Sequence, residues 1–244
     1  MLSDEEFREK YDQTAEHYET GLTWLFRSFG EDEGRVRAQL VDLLELHPGA
    51  RVLEVGCGTG RDTALIASRI GASGSLYASD LSVGMLRILS TRSGALAAKN
   101  VELFLCNAAY LPFADRAFDA VFHFGGINQF GDVPRALAEM TRVTRVGGKV
   151  VVGDEGVPPW LRDRSYGRVL INANPLYRHE PPLAHLPANA SGVTVRWLLG
   201  QAFYAVDYRV AEGPPRVDLD LPIPGKGDSL RSRYAAKHPG ETLD

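Results

Sequence analysis

Between Arg51 and Asp62 the chain reads RVLEVGCGTGRD, with Gly56, Gly58 and Gly60 at alternating positions directly after the apolar run Val52 to Val55. Glycine is tolerated where the backbone takes positive φ or where a side chain would collide with a neighbour. The spacing reads as a strand that breaks into a tight turn and brings bare backbone against a ligand, as in a nucleotide-binding βα unit. Close helix packing at a βα turn would select the same glycines. Asp80 stands 24 positions beyond Gly56, where a carboxylate accepts hydrogen bonds from ribose hydroxyls. It is also placed, as Ser82 is, to cap the helix that follows. Farther on come His123, Asn128, Gln129 and the pair Asp154-Glu155. Histidine titrates near neutrality, so His123 is a candidate catalytic base, or else a histidine satisfied within the core. Glu155 is a second catalytic candidate that orients a hydroxyl or amine acceptor, or it caps the region of Trp160. His179 and His185 lack a credible third ligand, so no metal is expected.

Apart from His179 and His185, these residues fall at or just beyond the ends of strand-like runs. The runs are Val52 to Val55, Leu76 to Ser79, Val101 to Leu105, Phe118 to Phe124 and Lys149 to Gly153, followed by Val193 to Leu199 and Phe203 to Val210. Helical spacing fills the gaps at Asp62 to Ile70, Ser82 to Ser90 and Val133 to Val143. Strands alternating with helices imply an α/β fold whose mostly parallel sheet is covered on both faces. Ligand sites in such sheets lie beyond the C-terminal strand ends, where the chemistry-bearing residues cluster. Ahead of the sheet, residues 3 to about 30 read as a helix begun at Ser3, with Phe7, Tyr11 and Tyr18 at compatible spacing, and Glu33 to Leu46 as a second helix. Tyr11 and Tyr18 either cover a cleft or only pack the helix down. Trp160 to Ile171 reads as one helix, and the last two runs as an antiparallel pair at the sheet edge. The tail reads as a surface extension or a flap.

With 244 residues, 44% of them hydrophobic and 24% charged, the chain is expected to be a single domain. It divides into an N-terminal helical lid or cap (1–48), a core (49–155), a substrate-side insertion (156–192) and a final strand pair with tail (193–244). A net charge of -4 without basic clusters argues against nucleic acid. Cys57 and Cys106 read as buried thiols of a reducing compartment. No run is long enough for a membrane span, and the acidic start is unlike a signal peptide, so a cytoplasmic location is expected. Both a monomer and a homodimer remain open.

The ordered motifs resemble those of the class I S-adenosylmethionine-dependent methyltransferases, in the branch similar to the ubiquinone and menaquinone biosynthesis methyltransferases. VLEVGCGTG at Val52 to Gly60 resembles the first motif and the acidic strand end at Asp80 the second. Asn107-Ala108 with Leu111-Pro112-Phe113 and Phe118 to Val121 resemble the third and fourth, and Leu137 to Val152 the helix, turn and fifth strand. The resemblance implies a three-layer Rossmann-like sandwich whose seven-stranded sheet has the order 3-2-1-4-5-7-6 with an antiparallel last strand. It implies S-adenosyl-L-methionine as cofactor, held by Tyr18, Glu54, Gly56, Cys57, Gly58, Gly60, Asp80, Leu81, Met85, Asn107, Ala108 and Phe124. Within that set Glu54 and the Gly56 and Gly58 backbone face the methionine part. Asp80 holds the ribose hydroxyls, Leu81 and Met85 flank the adenine, and Asn107 with the Ala108 amide reads the adenine edge. The family most often has Asp where this chain has Asn107. The expected reaction is O- or C-methylation of a small, largely apolar or aromatic acceptor, lined by Phe124, Ile127, Phe130, Trp160, Tyr177 and Trp197. An NAD-dependent oxidoreductase, which shares the glycine turn and Asp80, and a non-catalytic S-adenosylmethionine-binding protein are the alternatives.

Overall fold

A computed structural model describes residues 4–92 and 100–241, apart from the side chains at 7, 10 and 13–19. Ser3 and the side chains of Phe7 and Tyr18 thus lie outside the described residues. In chain order the elements are α1 (Asp4–Ser28), α2 (Glu33–Asp42), β1 (Arg51–Val55), α3 (Thr63–Ile70), β2 (Ser75–Asp80), α4 (Val83–Thr91), β3 (Val101–Leu105) and β4 (Phe118–Phe124). They continue with α5 (Val133–Val143), β5 (Thr144–Glu155), α6 (Pro159–Arg162), α7 (Ser165–Ala173), β6 (Ala190–Leu198), β7 (Phe203–Val210) and α8 (Leu230–Lys237). Contacts divide the chain into two units, residues 1–212 and 213–244, whereas the sequence reading keeps 193–244 as one final segment.

The first unit is built around β1, in which Val52, Leu53, Glu54 and Val55 are all buried. Successive side chains on a strand point to opposite faces. Val52 packs with Val36 and Leu40 of α2 and Ile66 and Ile70 of α3. Leu53 and Val55 pack with Leu137, Met140 and Val143 of α5 on the other side. Each such aliphatic side chain contributes roughly 2 kcal/mol by leaving water. The seven strands run in the order β3-β2-β1-β4-β5-β7-β6. The first five pair in parallel, and β7 is antiparallel to both β5 and β6. The expected three-layer architecture and strand order are those observed.

Several boundaries differ from expectation, each for a local reason. α2 stops at Asp42 because Leu43 caps it and Glu45 takes φ 53°, so Leu46 is not helical. β5 starts at Thr144, directly after α5, and carries Gly147 and Gly148 inside it as an irregularity opposite Phe118 to Ala120. The expected helix from Trp160 to Ile171 is two helices, broken where Arg164 turns extended. In the second unit the tail, read as a surface extension or a flap, contains the helix α8. Its start is closed by a capping box between Ser229 and Ser232, and no buried residue gave it an apolar period to read.

Gly60 shows how tightly the glycine turn is packed. It has φ +87°, and a Cβ there would lie 2.2 Å from Leu89 Cδ1 on α4. Gly60→Ala is expected to lower stability by about 2 kcal/mol or more, through strain and overpacking together. Urea unfolding checks this, and a midpoint equal to that of the parent chain contradicts it.

Candidate functional site

Beyond the C-terminal ends of β1, β2, β3 and β4 lies a cleft of about 860 Å³. The carboxylate of Asp80 stands in its lining. Oδ2 accepts from the Gly58 backbone N–H at 2.8 Å, and Oδ1 accepts from the Ser82 N–H at 2.8 Å. Ser82 rather than Asp80 caps α4, its hydroxyl accepting from the Met85 N–H at 3.1 Å. Asp80 is therefore a brace between the glycine turn and α4, and each carboxylate oxygen keeps lone-pair capacity toward the cleft. Burial raises its pKa, against the lowering effect of the backbone N–H groups. Gly56 has φ +66°, and a Cβ there would press to 3.1 Å on the His123 ring. Bare backbone is thus required on both sides of Gly58.

Asn107 closes the β3 end. Its Oδ1 accepts from the Ala109 N–H at 2.9 Å, and its Nδ2 donates to Asp4 Oδ2 at 2.7 Å. Asp4 Oδ1 accepts from the Gly131 N–H at 2.9 Å. Helix α1 is tied down at two further places. Asp12 Oδ1 accepts from the Gly84 N–H and from the Ser82 hydroxyl, and the Tyr11 hydroxyl accepts from Gln129 Nε2 at 3.4 Å. Asp4, Arg8 and Tyr11 line the cleft from this side. Burial pushes the Tyr11 phenol up to about 12, with the nearby carboxylates of Glu155, Asp154 and Asp80 adding to the rise.

Of the residues expected at the site, Gly56, Gly58, Asp80, Leu81, Met85, Asn107, Ala108 and His123 line this one cleft. Others turn away from it. Glu54 is buried beneath α3, where it accepts from the Thr63 hydroxyl at 2.6 Å. Burial and the neighbouring Asp62 charge raise its pKa well above the ordinary range. Cys57 packs behind the turn with Ala78 and Leu89, and Gly60 is pressed against Leu89 in the same way. Phe124 lies on the opposite face from His123, its ring centroid 6.0 Å from that of Phe203 and 5.9 Å from the Arg37 guanidinium. Strand alternation forces that outcome, because neighbours in a strand cannot share a face. The Tyr18 side chain lies outside the described residues.

Glu155 also misses the cleft lining. It sits behind a polar cluster in which Asp154 accepts from the N–H groups of Asn128 at 2.7 Å and Glu155 at 2.8 Å. The Asn128 carboxamide donates to the Glu155 carbonyl at 2.7 Å and accepts from the Tyr204 hydroxyl at 2.9 Å. Burial, then the Asp154 charge, holds the Glu155 carboxyl well above the usual range. The expected aromatic acceptor wall is dispersed as well. Phe130 lines the cleft, while Trp160 and Trp197 pair with each other at 5.9 Å and Tyr177 packs on Phe203 at 6.0 Å. His179 and His185 line a separate cavity of about 770 Å³. Gln129, which the sequence offers beside His123, and Gly125 and Gly126 at the same strand end also line the cleft, as do Asp4, Arg8 and Ser82, which the sequence did not assign to it. The paired glycines after β4 were a visible signal; Asp4, more than 100 residues from its partner Asn107, had none.

The model of the ubiE/COQ5 methyltransferase family matches residues 4–158. A demethylmenaquinone methyltransferase of Bacillus mycoides is 36% identical over 125 residues, 51% of this chain and 53% of the relative. One from Thermobifida fusca is 40% identical over 116 residues, 48% of each chain. The chain thus spans about half the length of the curated relatives it matches. Among solved structures, phosphoethanolamine N-methyltransferase 2 of Haemonchus contortus, in complex with S-adenosyl-L-methionine, superimposes with a TM-score of 0.65 at 15% identity, covering 87% of this chain and 61% of that one. A SAM dependent methyltransferase from Aquifex aeolicus gives a TM-score of 0.52 at 20% identity, over 74% of this chain and 94% of that one. At such identities the likeness is one of fold.

The Asp4 to Asn107 contact also accounts for the amide at position 107. An aspartate there would set two carboxylates in hydrogen-bonding contact with no proton between them. Asn107→Asp is expected to raise backbone hydrogen exchange at the start of α1 by about tenfold at neutral pH, and adding Asp4→Asn to restore protection. Exchange read by mass spectrometry tests the pair. Unchanged protection in the single variant, or no recovery in the double, counts against it.

Proposed function

The chain belongs to the ubiE/COQ5 methyltransferase family, whose cofactor is S-adenosylmethionine, and from that premise we propose that it methylates the ring of a small quinone-type acceptor in its reduced, aromatic form. Membership displaces the nicotinamide reading of the glycine turn. The observation that carries the proposal is the braced Asp80 carboxylate at the β2 end, facing a cleft floored by the backbone of Gly56 and Gly58. A vicinal diol matches two carboxylate oxygens that are already oriented, and the carboxylate repels a phosphate. Leu81, Met85 and Ala108 supply apolar surface beside it, and Asn107 and the Ala108 amide a polar edge, as an adenine ring requires.

The bound cofactor supplies an electrophilic methyl on a sulfonium; the acceptor's electron pair forms the new bond to that carbon, and the carbon–sulfur pair leaves on sulfur. In-line displacement of this kind depends on alignment and exclusion of water. The residues that serve it are those of α1, whose Asp4, Tyr11 and Asp12 tie the helix across the cleft. Methylation of a ring carbon of a reduced quinone releases that carbon's proton, which passes to water. Glu155 is not proposed as a base, because it does not line the cleft. The acceptor class follows the name of the two relatives and the aromatic Phe130 and Tyr11 in the lining.

Two measurements test this reading. Incubation with S-adenosylmethionine and a reduced, side-chain-shortened demethylated naphthoquinone is expected to yield S-adenosylhomocysteine and the methylated ring together. Tight cofactor binding with no turnover on any aromatic acceptor of a panel would leave the activity unsupported. For the cofactor site, Asp80→Asn is expected to weaken S-adenosylhomocysteine binding on the order of tenfold to a hundredfold. The sign with pH follows from the ionised form being the acceptor. Affinity is level above the raised pKa of Asp80 and falls as pH drops through it, beginning above the ~3.9 of an ordinary aspartate. Calorimetry as a function of pH should show this fall in the parent chain and not in Asp80→Asn.

A further inference from the structure

The residues matched by the family model end at 158, and just beyond them the fold gathers positive charge. Arg162, Asp163, Arg168, Asn172 and Arg178 are the polar residues lining an open hollow of about 1420 Å³, which shares no residue with the cleft. The chain as a whole carries a net charge of -4, yet three arginines here meet one aspartate. Arg162 is already spent. Its Nε donates to the Val157 carbonyl at 3.0 Å, its Nη1 to Glu180 Oε1 at 2.6 Å and its Nη2 to the His179 carbonyl at 3.4 Å. The side chains of Arg168 and Arg178 have no hydrogen-bond or ion-pair partner among the described residues. Other exposed arginines do find one: Arg35 pairs with Glu31, Arg69 with Asp42 and Arg145 with Asp119.

The backbone around the hollow is fixed. Gly167 is buried, and a Cβ there would lie 2.1 Å from the Leu161 carbonyl oxygen and 2.8 Å from the Arg162 Cα. Helix α7 is therefore pressed backbone to backbone onto α6, and Arg168 follows directly from that contact. Arg168 and Asn172, four residues apart, share one face of α7. Arg178 ends the short 3-10 turn Pro175–Arg178, which is held by the Leu176 N–H donating to Asn174 Oδ1 at 3.1 Å and by the buried Tyr177. The hollow thus has donors in place and acceptors missing. A guanidinium presents a fork of N–H groups that matches a carboxylate or a phosphate. One fork satisfies the two oxygens of a carboxylate. Two unspent forks, reaching the hollow from separate elements, match an anion with three or more oxygens and more than one charge, and a phosphoryl group is such an anion.

We propose that this hollow binds a phosphoryl group, carried by a soluble phosphate ester or by a phospholipid headgroup, through Arg168 and Arg178, while Arg162 holds the frame they stand on. Asp163 offsets one of the three arginines and leaves the lining positive. Neither Arg168 nor Arg178 belongs to the methyl-transfer cleft, so this site stands or falls apart from the proposed activity.

The test has two arms, both at low ionic strength because salt screens exposed charges. In the first, inorganic pyrophosphate, with acetate as the control anion, is titrated calorimetrically into the parent chain and into the double variant Arg168→Gln, Arg178→Gln. In the second, the same two proteins are sedimented with phosphatidylcholine vesicles made with and without phosphatidylglycerol. The parent chain is expected to bind saturably in at least one arm and to ignore acetate. The double variant is expected to bind about tenfold more weakly or worse, with its urea midpoint unchanged. A response confined to pyrophosphate assigns the site to a soluble ester, and one confined to phosphatidylglycerol vesicles assigns it to a lipid headgroup. In the parent chain alone, the Nε–H resonances of Arg168 and Arg178 should move with the bound phosphate while those of Arg69 and Arg145 stay put. No saturable binding in either arm, binding that the double variant keeps, or acetate bound as well as pyrophosphate overturns the proposal.

Discussion

A parallel strand covered by helices on both faces has its N–H and C=O groups committed to the ladder and its side chains committed to apolar neighbours, so polar chemistry emerges only where the ladder stops. That constraint governs this molecule. Val52 to Val55 are buried throughout, and the first residues free to meet a ligand are Gly56 and Gly58. The same holds for Asp80 after β2, Asn107 after β3 and Gly125 and Gly126 after β4. Asp80 converts adjacency into a site, because its carboxylate holds the turn after β1 and the start of α4 at once.

The roof of the cleft is held by a different kind of force. The start of α1 is joined to the rest of the first unit through side-chain carboxylates, Asp4 on Asn107 and Gly131 and Asp12 on Ser82 and Gly84, while its far end is anchored in the apolar core by Phe26. Hydrogen bonds between polar groups that water also satisfies are worth little net free energy each. A segment held in this way opens at lower cost than the sheet beneath it. The strands beneath the cleft are held by apolar packing, and the start of α1 by polar contacts. A cofactor that must enter and leave a covered site needs both.

Polar groups also lie beneath the site, and their chemistry is set by burial. Desolvation and a neighbouring carboxylate raise the pKa of both Glu54 and Glu155. Both lie outside the cleft lining, although Glu54 is the sequence neighbour of Val55, which lines it. Their acidity is spent on the interior, Glu54 with Thr63 under α3 and Glu155 with the Asp154 and Asn128 cluster that shapes the turn after β4.

What the sequence determined by itself was the order of elements, the glycine turn and the strand-end residues Asp80, Asn107 and His123, because each of these is written locally: period, turn chemistry and position relative to a strand. The sheet order and the antiparallel β7 came from family resemblance, and the fold agrees. Sequence left undecided which of two neighbours faces a ligand. Only the tertiary structure sent Glu54, Cys57 and Phe124 inward, dispersed the aromatic residues and brought Asp4 onto Asn107. The physical reason is that a side chain's direction depends on strand alternation and on which helix covers that face. A contact between residues 4 and 107 belongs to the folded chain and to no stretch of it.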